Sequence, residues 1–112
     1  MFTVDFHSHT LPAFDDGAKD VQESLELFRM LSEQGINTVC ATPHFNANRM
    51  SIDDFLRSRS KAYINLADAL PENAPTVRLG AEVAYYEGIS RLDNLSSLCI
   101  EGTNLLLLEM PF

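Results

Sequence analysis

The chain has 112 residues, of which 46% are hydrophobic and 21% are charged, and its formal net charge is −8. This length suits one domain with a single buried core. The acidic balance argues against nucleic-acid binding, because no stripe of Lys and Arg is present to neutralise phosphates. It also means that a phosphorylated substrate would need a local source of positive charge, which bound divalent metal ions would supply.

Cysteine usage and hydropathy indicate the cellular compartment. No apolar run reaches the length that crosses a membrane, and no basic-then-apolar signal stands at the N-terminus. Cys40 and Cys99 lie in apolar contexts without zinc-knuckle spacing, so we interpret them as reduced, buried thiols. We therefore expect a cytoplasmic protein without membrane insertion.

The first predicted element is a strand followed by two histidines. An apolar and β-branched run over residues 2–6 predicts a strand that points into a core. His7 and His9 follow, and the alternation of side chains along a strand would place both imidazoles on one face. Such a pair alone is more often a surface feature than a metal site. Gly17 permits a sharp turn that could return Asp16 to the same end.

The rest of the chain alternates between helical and strand patterns. Asp20 and Glu23 form a capping box, and the apolar spacing that follows predicts a helix over residues 21–34. Ser51 caps a second helix, which Pro71 stops. Apolar and β-branched runs predict further strands at residues 36–42, 76–83 and 105–108, with a shorter helical piece at residues 88–95.

This alternating order predicts an α/β protein with a parallel sheet covered by helices. In such proteins, sites form at the carboxyl ends of the strands. All three histidines of the chain, together with several carboxylates, lie at or just after a predicted strand end. The candidate metal ligands are His7, His9, Asp16, His44, Glu82 and Glu109.

The mixture of imidazole and carboxylate donors favours manganese, iron or zinc over calcium or magnesium. A carboxylate can bridge two ions, and several ions together can hold both oxygens of a phosphoester displacement and supply a hydroxide at neutral pH. No Ser-His-Asp pattern, Cys-x5-Arg loop or Gly-rich phosphate loop competes with this interpretation. The alternative is that strand ends are simply polar, which would explain one or two of the six residues.

Five segments distributed along the whole chain carry a family resemblance, and they are DFHSH at 5–9, DDGAK at 15–19, ATPH at 41–44, GAE at 80–82 and LLEMPF at 107–112. They resemble the bacterial PHP-type (polymerase and histidinol phosphatase) protein-tyrosine phosphatases of capsular and exopolysaccharide operons. The resemblance implies a distorted (β/α)7 barrel whose site holds up to three metal ions, usually manganese. It also implies dephosphorylation of tyrosines on a cognate tyrosine kinase that controls polysaccharide export.

Carried over position by position, the resemblance assigns roles to the candidate ligands. His7 and His9 would bind one metal ion, and Glu82 would bridge two. Asp16 and His44 would serve a third ion.

Two further residues complete the assignment. Glu109 would belong to the shared metal cluster. Arg49 is a candidate phosphate contact, although a loop arginine is more often merely solvated.

The family is about double the length of this chain, and its second half carries further ligands. The chain therefore resembles the N-terminal portion of a single PHP-type phosphatase domain, about half of the barrel, with parallel strands and covering helices. Residues 105–108 would need cover on both faces, and an open apolar edge favours pairing. We expect either a missing C-terminal half or a homo-oligomer.

Three functions remain open. The first is metal-dependent protein-tyrosine phosphatase activity, in which a metal-bound hydroxide attacks phosphorus. The second is another PHP phosphoesterase activity, such as that on histidinol phosphate, although the DDGAK and LEMPF segments favour the tyrosine branch. The third is a non-catalytic fragment that binds metal or serves as a paired scaffold.

Overall fold

The computed structural model describes residues 3–111, and every strand pairing found among them is parallel. The predicted α/β class is therefore confirmed. The elements in chain order are β1 (Val4–Ser8), α1 (Val21–Glu33), β2 (Thr38–Ala41), β3 (His44–Phe45), α2 (Ile52–Ala67), β4 (Thr76–Leu79), β5 (Glu82–Ala84), two 3-10 turns (Ile89–Arg91 and Leu95–Leu98) and β6 (Leu107–Glu109).

The strands form two three-stranded sheets, with the orders β1-β2-β4 and β3-β5-β6. Hydrogen bonds continue across the break between them. The Gly80 amide donates to the Ala41 carbonyl oxygen at 2.9 Å, and the Glu82 amide donates to the Pro43 carbonyl oxygen at 2.9 Å. The second sheet thus continues the first after a bend.

The prediction of one strand over residues 76–83 is wrong, because this run divides into β4 and β5 in different sheets. A side chain at Gly80 would approach Ile100 Cγ1 to 3.0 Å, so the chain bends where only glycine fits. A parallel change occurs after β2. Pro43 has no amide to donate, and β3 begins at His44 in a region predicted as loop.

The first strand also differs from its prediction. It extends to Ser8, and its register with β2 shifts between Asp5 and Ser8, so a bulge precedes the end of the strand. Phe6 is 57% exposed instead of pointing into the core, because β1 lies at the sheet edge and this side chain meets no covering element. Phe2, the predicted start, lies outside the described residues.

Both helices begin at the predicted caps. The Asp20 carboxylate accepts from the Glu23 amide at 2.8 Å, and the Ser51 hydroxyl accepts from the Asp54 amide at 3.1 Å. Gly35 follows α1 with a φ of +86°, which is the left-handed conformation expected at a C′ glycine.

The second helix connects two core clusters. Its C-terminal half packs with β2, β4 and Phe28 of α1, whereas its N-terminal half packs with Phe45 of β3 and with the 3-10 turns. A single rigid element therefore spans both sheets. The clusters consist of Leu11, Phe28, Val39, Ala41, Ala62, Leu66 and Leu79 in the first, and Phe45, Ile52, Phe55, Ala81, Val83, Ile89 and Leu98 in the second.

Two predictions for the C-terminal third need correction. The helical piece at residues 88–95 is instead a pair of 3-10 turns, because Gly88 and Asn94 adopt positive φ angles that interrupt helix geometry. The last strand lies two residues later than predicted, and Leu105 and Leu108 are exposed. The exposure follows from the position of β6 at the edge of its sheet.

Cys40 and Cys99 are both free thiols, but the prediction that both are buried holds only for Cys40, since Cys99 is partly exposed. Burial raises the pKa of the Cys40 thiol, so this group stays protonated at neutral pH. Within residues 3–111, no helix is both long enough and apolar enough to cross a membrane.

Candidate metal centre

Two histidines lie side by side at the end of β1, His7 within the strand and His9 directly after it. The imidazole centroids of His7 and His9 are 5.1 Å apart at an interplanar angle of 69°, and their Nε2 atoms are 3.2 Å apart. The predicted same-face arrangement is therefore confirmed. The His44 ring stacks on the His9 ring, with the two centroids 4.5 Å apart.

Glu82 lies at the centre of the three imidazoles. Its side chain is only 9% exposed. One carboxylate oxygen is 2.9 Å from Nε2 of His7, and the other is 3.0 Å from Nδ1 of His44 and 3.6 Å from Nε2 of His9. This convergence arises because β3 pairs with β5 in a register that sets His44 opposite Glu82.

The two remaining predicted ligands approach His44 from different sides. Asp16 is 82% exposed and lies 3.4 Å from Nε2 of His44. Glu109, at the end of β6, lies 4.0 Å from Nδ1 of the same ring. The structure thus brings all six predicted residues together. Three groups have ligand atoms within 4.8 Å of one another: His9, Asp15, Asp16 and His44; His7, His9 and Glu82; and His44, Glu82 and Glu109.

Asp15 is a site residue that the sequence analysis missed. One carboxylate oxygen lies 2.9 Å from Nδ1 of His9 and accepts from the His44 amide at 3.1 Å, and the other accepts from the Gly17 amide at 3.0 Å. Burial raises the pKa of Asp15, but these hydrogen bonds outweigh it and the pKa is lowered overall. The Asp-x-Gly turn was a visible signal for the Gly17 contact. No sequence pattern indicated the contacts to the histidines.

The tautomer of His9 follows from this contact. An ionised carboxylate can only accept hydrogen bonds, so Nδ1 of His9 donates to Asp15, and Nε2 is the ring nitrogen left to bind a metal ion. This nitrogen faces both the Glu82 carboxylate and Nε2 of His7. A metal ion between this nitrogen and the Glu82 carboxylate would have a ligand atom on each side. The donor set therefore fits a metal ion whose histidine ligand is oriented by an outer carboxylate.

A cavity of about 490 Å³ lies beside the cluster. Asp16, His44 and Glu109 contribute to one part of its lining, and Phe14 and Met50 contribute an apolar part. Arg49 also lines this cavity, and within residues 3–111 no ion pair involves its guanidinium. The cavity thus joins candidate ligands, an apolar surface and one available cation.

The fold and the site together define a class of protein: a parallel α/β protein that presents a histidine and carboxylate cluster where the strands of its first sheet end and those of its second sheet begin. Residues 3–112 match the family described as capsular polysaccharide synthesis, CpsB/CapC. The chain belongs to this family, which confirms the family resemblance seen in the sequence.

Relatives of known name support the assignment. The chain is 34% identical to the tyrosine-protein phosphatase YwqE of Bacillus subtilis, over 97% of this chain and 43% of YwqE. It is 31% identical to CapC of Staphylococcus aureus, over 96% of this chain and 43% of CapC. The chain therefore spans less than half the length of the curated relatives that it matches.

A solved structure shares the fold. Crystal structures describe YwqE from Bacillus subtilis and CpsB from Streptococcus pneumoniae as metal-dependent tyrosine phosphatases, and a chain from that work matches with a TM-score of 0.75. The sequence identity is 30%, and the match covers 98% of this chain and 45% of the other. The predicted fold, about half of the family's α/β structure, is confirmed.

Replacement of Asp15 by Asn is expected to destabilise the metal-free protein. The amide group would set a donor against His9 and the His44 amide, at a cost of about 1–3 kcal/mol. Because folding lowers the Asp15 pKa, its contribution is present above the unfolded-state pKa and is lost as the pH falls through the lower folded-state value. Urea unfolding with chelator present, at pH 7 and at acid pH, measures both effects.

Asp16→Asn is the matched control. The Asp16 carboxylate is exposed, and among the hydrogen bonds found in residues 3–111 it makes none to the backbone. We expect its free energy of unfolding at pH 7 to equal that of the wild type. Equal losses in the two variants would contradict the role given to Asp15.

Proposed function

We propose that this chain is the N-terminal portion of a single PHP-type domain that acts as a metal-dependent protein-tyrosine phosphatase. The observation that carries the proposal is the convergence of three histidines on the buried carboxylate of Glu82. Membership of the CpsB/CapC family, with a relative named as a tyrosine-protein phosphatase, supports the same activity.

The proposed ligand roles follow the clusters of the site. His7 and His9 hold one metal ion, and Glu82 bridges two. Asp16 and His44 serve a third ion. Support comes from the overlap of the three candidate groups, since His9, His44 and Glu82 each belong to two of them.

Glu109 completes the proposed cluster from the end of β6. The donor set of imidazoles and carboxylates suits manganese, with iron or zinc as alternatives, and the complete domain would hold up to three ions. Such ions supply an activated water and positive charge that offsets charge developing on phosphate.

The chain's own residues would then bind and orient the substrate. Arg49 would contact the phosphate, and this role is supported by its position in the lining of the cavity that His44 and Glu109 also line. Phe14 and Met50 line the same cavity and offer an apolar surface for a tyrosyl ring. A guanidinium beside an apolar wall suits a phosphorylated aromatic side chain.

The proposed protein substrate is a phosphotyrosine protein, the cognate tyrosine kinase of polysaccharide biosynthesis. The family description, capsular polysaccharide synthesis, supports this partner. The proposed location is the cytoplasm, where free thiols such as Cys40 and Cys99 stay reduced.

Metal retention tests the proposed site. Purified wild-type chain dialysed against Mn²⁺ is expected to retain the ion, and His7→Ala with His9→Ala is expected to lower retention at least tenfold, because both nitrogens leave the cluster. Elemental analysis after gel filtration gives the bound metal per chain. Glu72→Ala, an exposed acidic residue between Pro71 and Pro75, is the control and should retain wild-type metal. Wild-type protein without metal at saturating Mn²⁺ would refute the proposed site.

Substrate class is tested through Arg49. We expect Arg49→Ala to weaken binding of a phosphotyrosyl peptide to the Mn²⁺-loaded chain about tenfold, the effect of losing a charge-assisted hydrogen bond. Calorimetric titration measures the affinity, and Arg57→Ala, on the exposed face of α2, is the matched control. Tighter binding and faster hydrolysis of histidinol phosphate than of the peptide would instead support the other PHP phosphoesterase activity.

A second candidate function is a paired, non-catalytic scaffold. The specific observation is the exposed apolar surface at the edge strand β6, formed by Leu105, Leu108 and Met110. Exposed hydrophobic edges favour association with another chain. Sedimentation is expected to show a homodimer under this function, and a folded monomer at high concentration would exclude it.

A further inference from the structure

Arg59 is a buried arginine on α2, and its surroundings are unusual for a charged side chain. It is only 8% exposed, and its guanidinium lies 5.5 Å from the centroid of the Phe55 ring. Within residues 3–111 no ion pair involves it, and its Nε is a buried polar atom without a hydrogen-bond partner. Buried arginines without such pairing are rare, so the contact that it does make needs an explanation.

That contact is with the bend between β4 and β5. Nη1 of Arg59 donates to the Gly80 carbonyl oxygen at 2.7 Å. The Gly80 amide donates to Ala41, and the Glu82 amide donates to Pro43. The three hydrogen bonds together fix the backbone over the two residues that lead to the central carboxylate of the metal centre.

The residue before the bend is also held by a charged residue. The Glu101 carboxylate accepts from the Leu79 amide at 2.6 Å, and the Glu101 amide donates to the Leu79 carbonyl oxygen at 2.9 Å. Ile100 packs so closely on Gly80 that a Cβ there would lie 3.0 Å from Ile100 Cγ1. Glu101 therefore holds the backbone at Leu79, and Arg59 holds it at Gly80.

We propose that Arg59 is a positioning residue for the metal centre. By holding the Gly80 carbonyl, its guanidinium fixes the backbone from which Glu82 reaches all three histidines. This inference rests on the proposed function only in requiring that the cluster bind metal. Arg59 contacts Gly80, which precedes Glu82 by two residues in the chain. Arg59 itself belongs to none of the candidate ligand groups.

The position explains why an arginine is kept in an apolar setting. A hydrophobic side chain would pack beside Phe55 equally well, and replacing buried charge by apolar groups often leaves stability unchanged. Such a replacement would, however, leave the Gly80 carbonyl without its side-chain donor. Loss of Arg59 should therefore affect the geometry of Glu82 more than the stability of the fold.

Cobalt binding tests the proposal, because Co²⁺ reports both affinity and ligand geometry through its visible absorption. The full chain is titrated with Co²⁺ as wild type, Arg59→Met, Arg59→Lys and Arg57→Met, and thermal unfolding is measured with chelator present. We expect Arg59→Met to weaken Co²⁺ binding about tenfold to a hundredfold and to shift the visible bands, as outer residues of metal sites do. Arg59→Lys retains a hydrogen-bond donor, a single ammonium group, and its Co²⁺ affinity should lie between those of Arg59→Met and the wild type.

The control and the contrary outcomes are distinct. Arg57→Met, on the exposed face of the same helix, should match wild type in affinity and spectrum. A purely structural role would lower the melting temperature of Arg59→Met but leave the affinity and spectrum of the folded protein unchanged, and that result overturns the proposal. Should Arg59→Met not fold, a wild-type spectrum and affinity in Arg59→Lys would overturn it. Wild-type protein that binds no Co²⁺ would refute the metal centre itself.

Discussion

The geometry of the site depends on one buried carboxylate, that of Glu82. Burial removes hydration that an ionised carboxylate needs, so neighbouring groups must compensate for the loss. The ion pairs found for Glu82 within residues 3–111 all involve histidine, from β1 and its end and from β3. These rings carry positive charge only when they bind a second proton, and a bound cation would otherwise supply the positive charge. The need of the buried Glu82 carboxylate for nearby positive charge or hydrogen-bond donors thus accounts for the three imidazoles that face it.

The bend between the sheets makes this arrangement possible. In a straight parallel sheet, neighbouring side chains on one face point the same way and strand ends stay about 4.8 Å apart. Here the breaks at Pro43 and Gly80 start a second set of strands, and the first pair of residues in that set is His44 and Glu82. The ligands of the second sheet consequently meet the histidines at the end of β1. Asp15 adds the connection between them, since it contacts His9 and the backbone of His44.

The local parts of this structure were predictable from the sequence. Capping residues and apolar spacing identify both helices, and α1 ends within one residue of its prediction. The candidate ligands were found because parallel strands gather their carboxyl ends, which makes position along the chain informative about position in space. His7 and Glu109 lie at such ends, whereas His44 and Glu82 begin β3 and β5, so the prediction that Glu82 ends a strand is wrong.

The remaining features depend on contacts that sequence patterns do not encode. The apolar pattern of residues 76–83 is compatible both with one continuous strand and with two strands in different sheets. The bend at Gly80 therefore could not be predicted from that pattern. Asp15 contacts a backbone amide 29 residues away, and Arg59 contacts a carbonyl 21 residues away. An arginine among helical residues ordinarily indicates a solvated face. Phe6 was misplaced for a related reason, since hydrophobicity does not reveal which strand lies at an edge.

The site lies across the junction of the two sheets, and this placement has a thermodynamic consequence. A cation held by His7, His9 and Glu82 binds only when the two sheets are aligned, because the histidines lie at the end of β1 and the glutamate lies in β5 of the other sheet. By mass action, such an ion adds its binding free energy to the aligned state and nothing to states in which the sheets have separated. Bound metal therefore stabilises the junction between the two sheets, and this stabilisation increases with the free metal concentration.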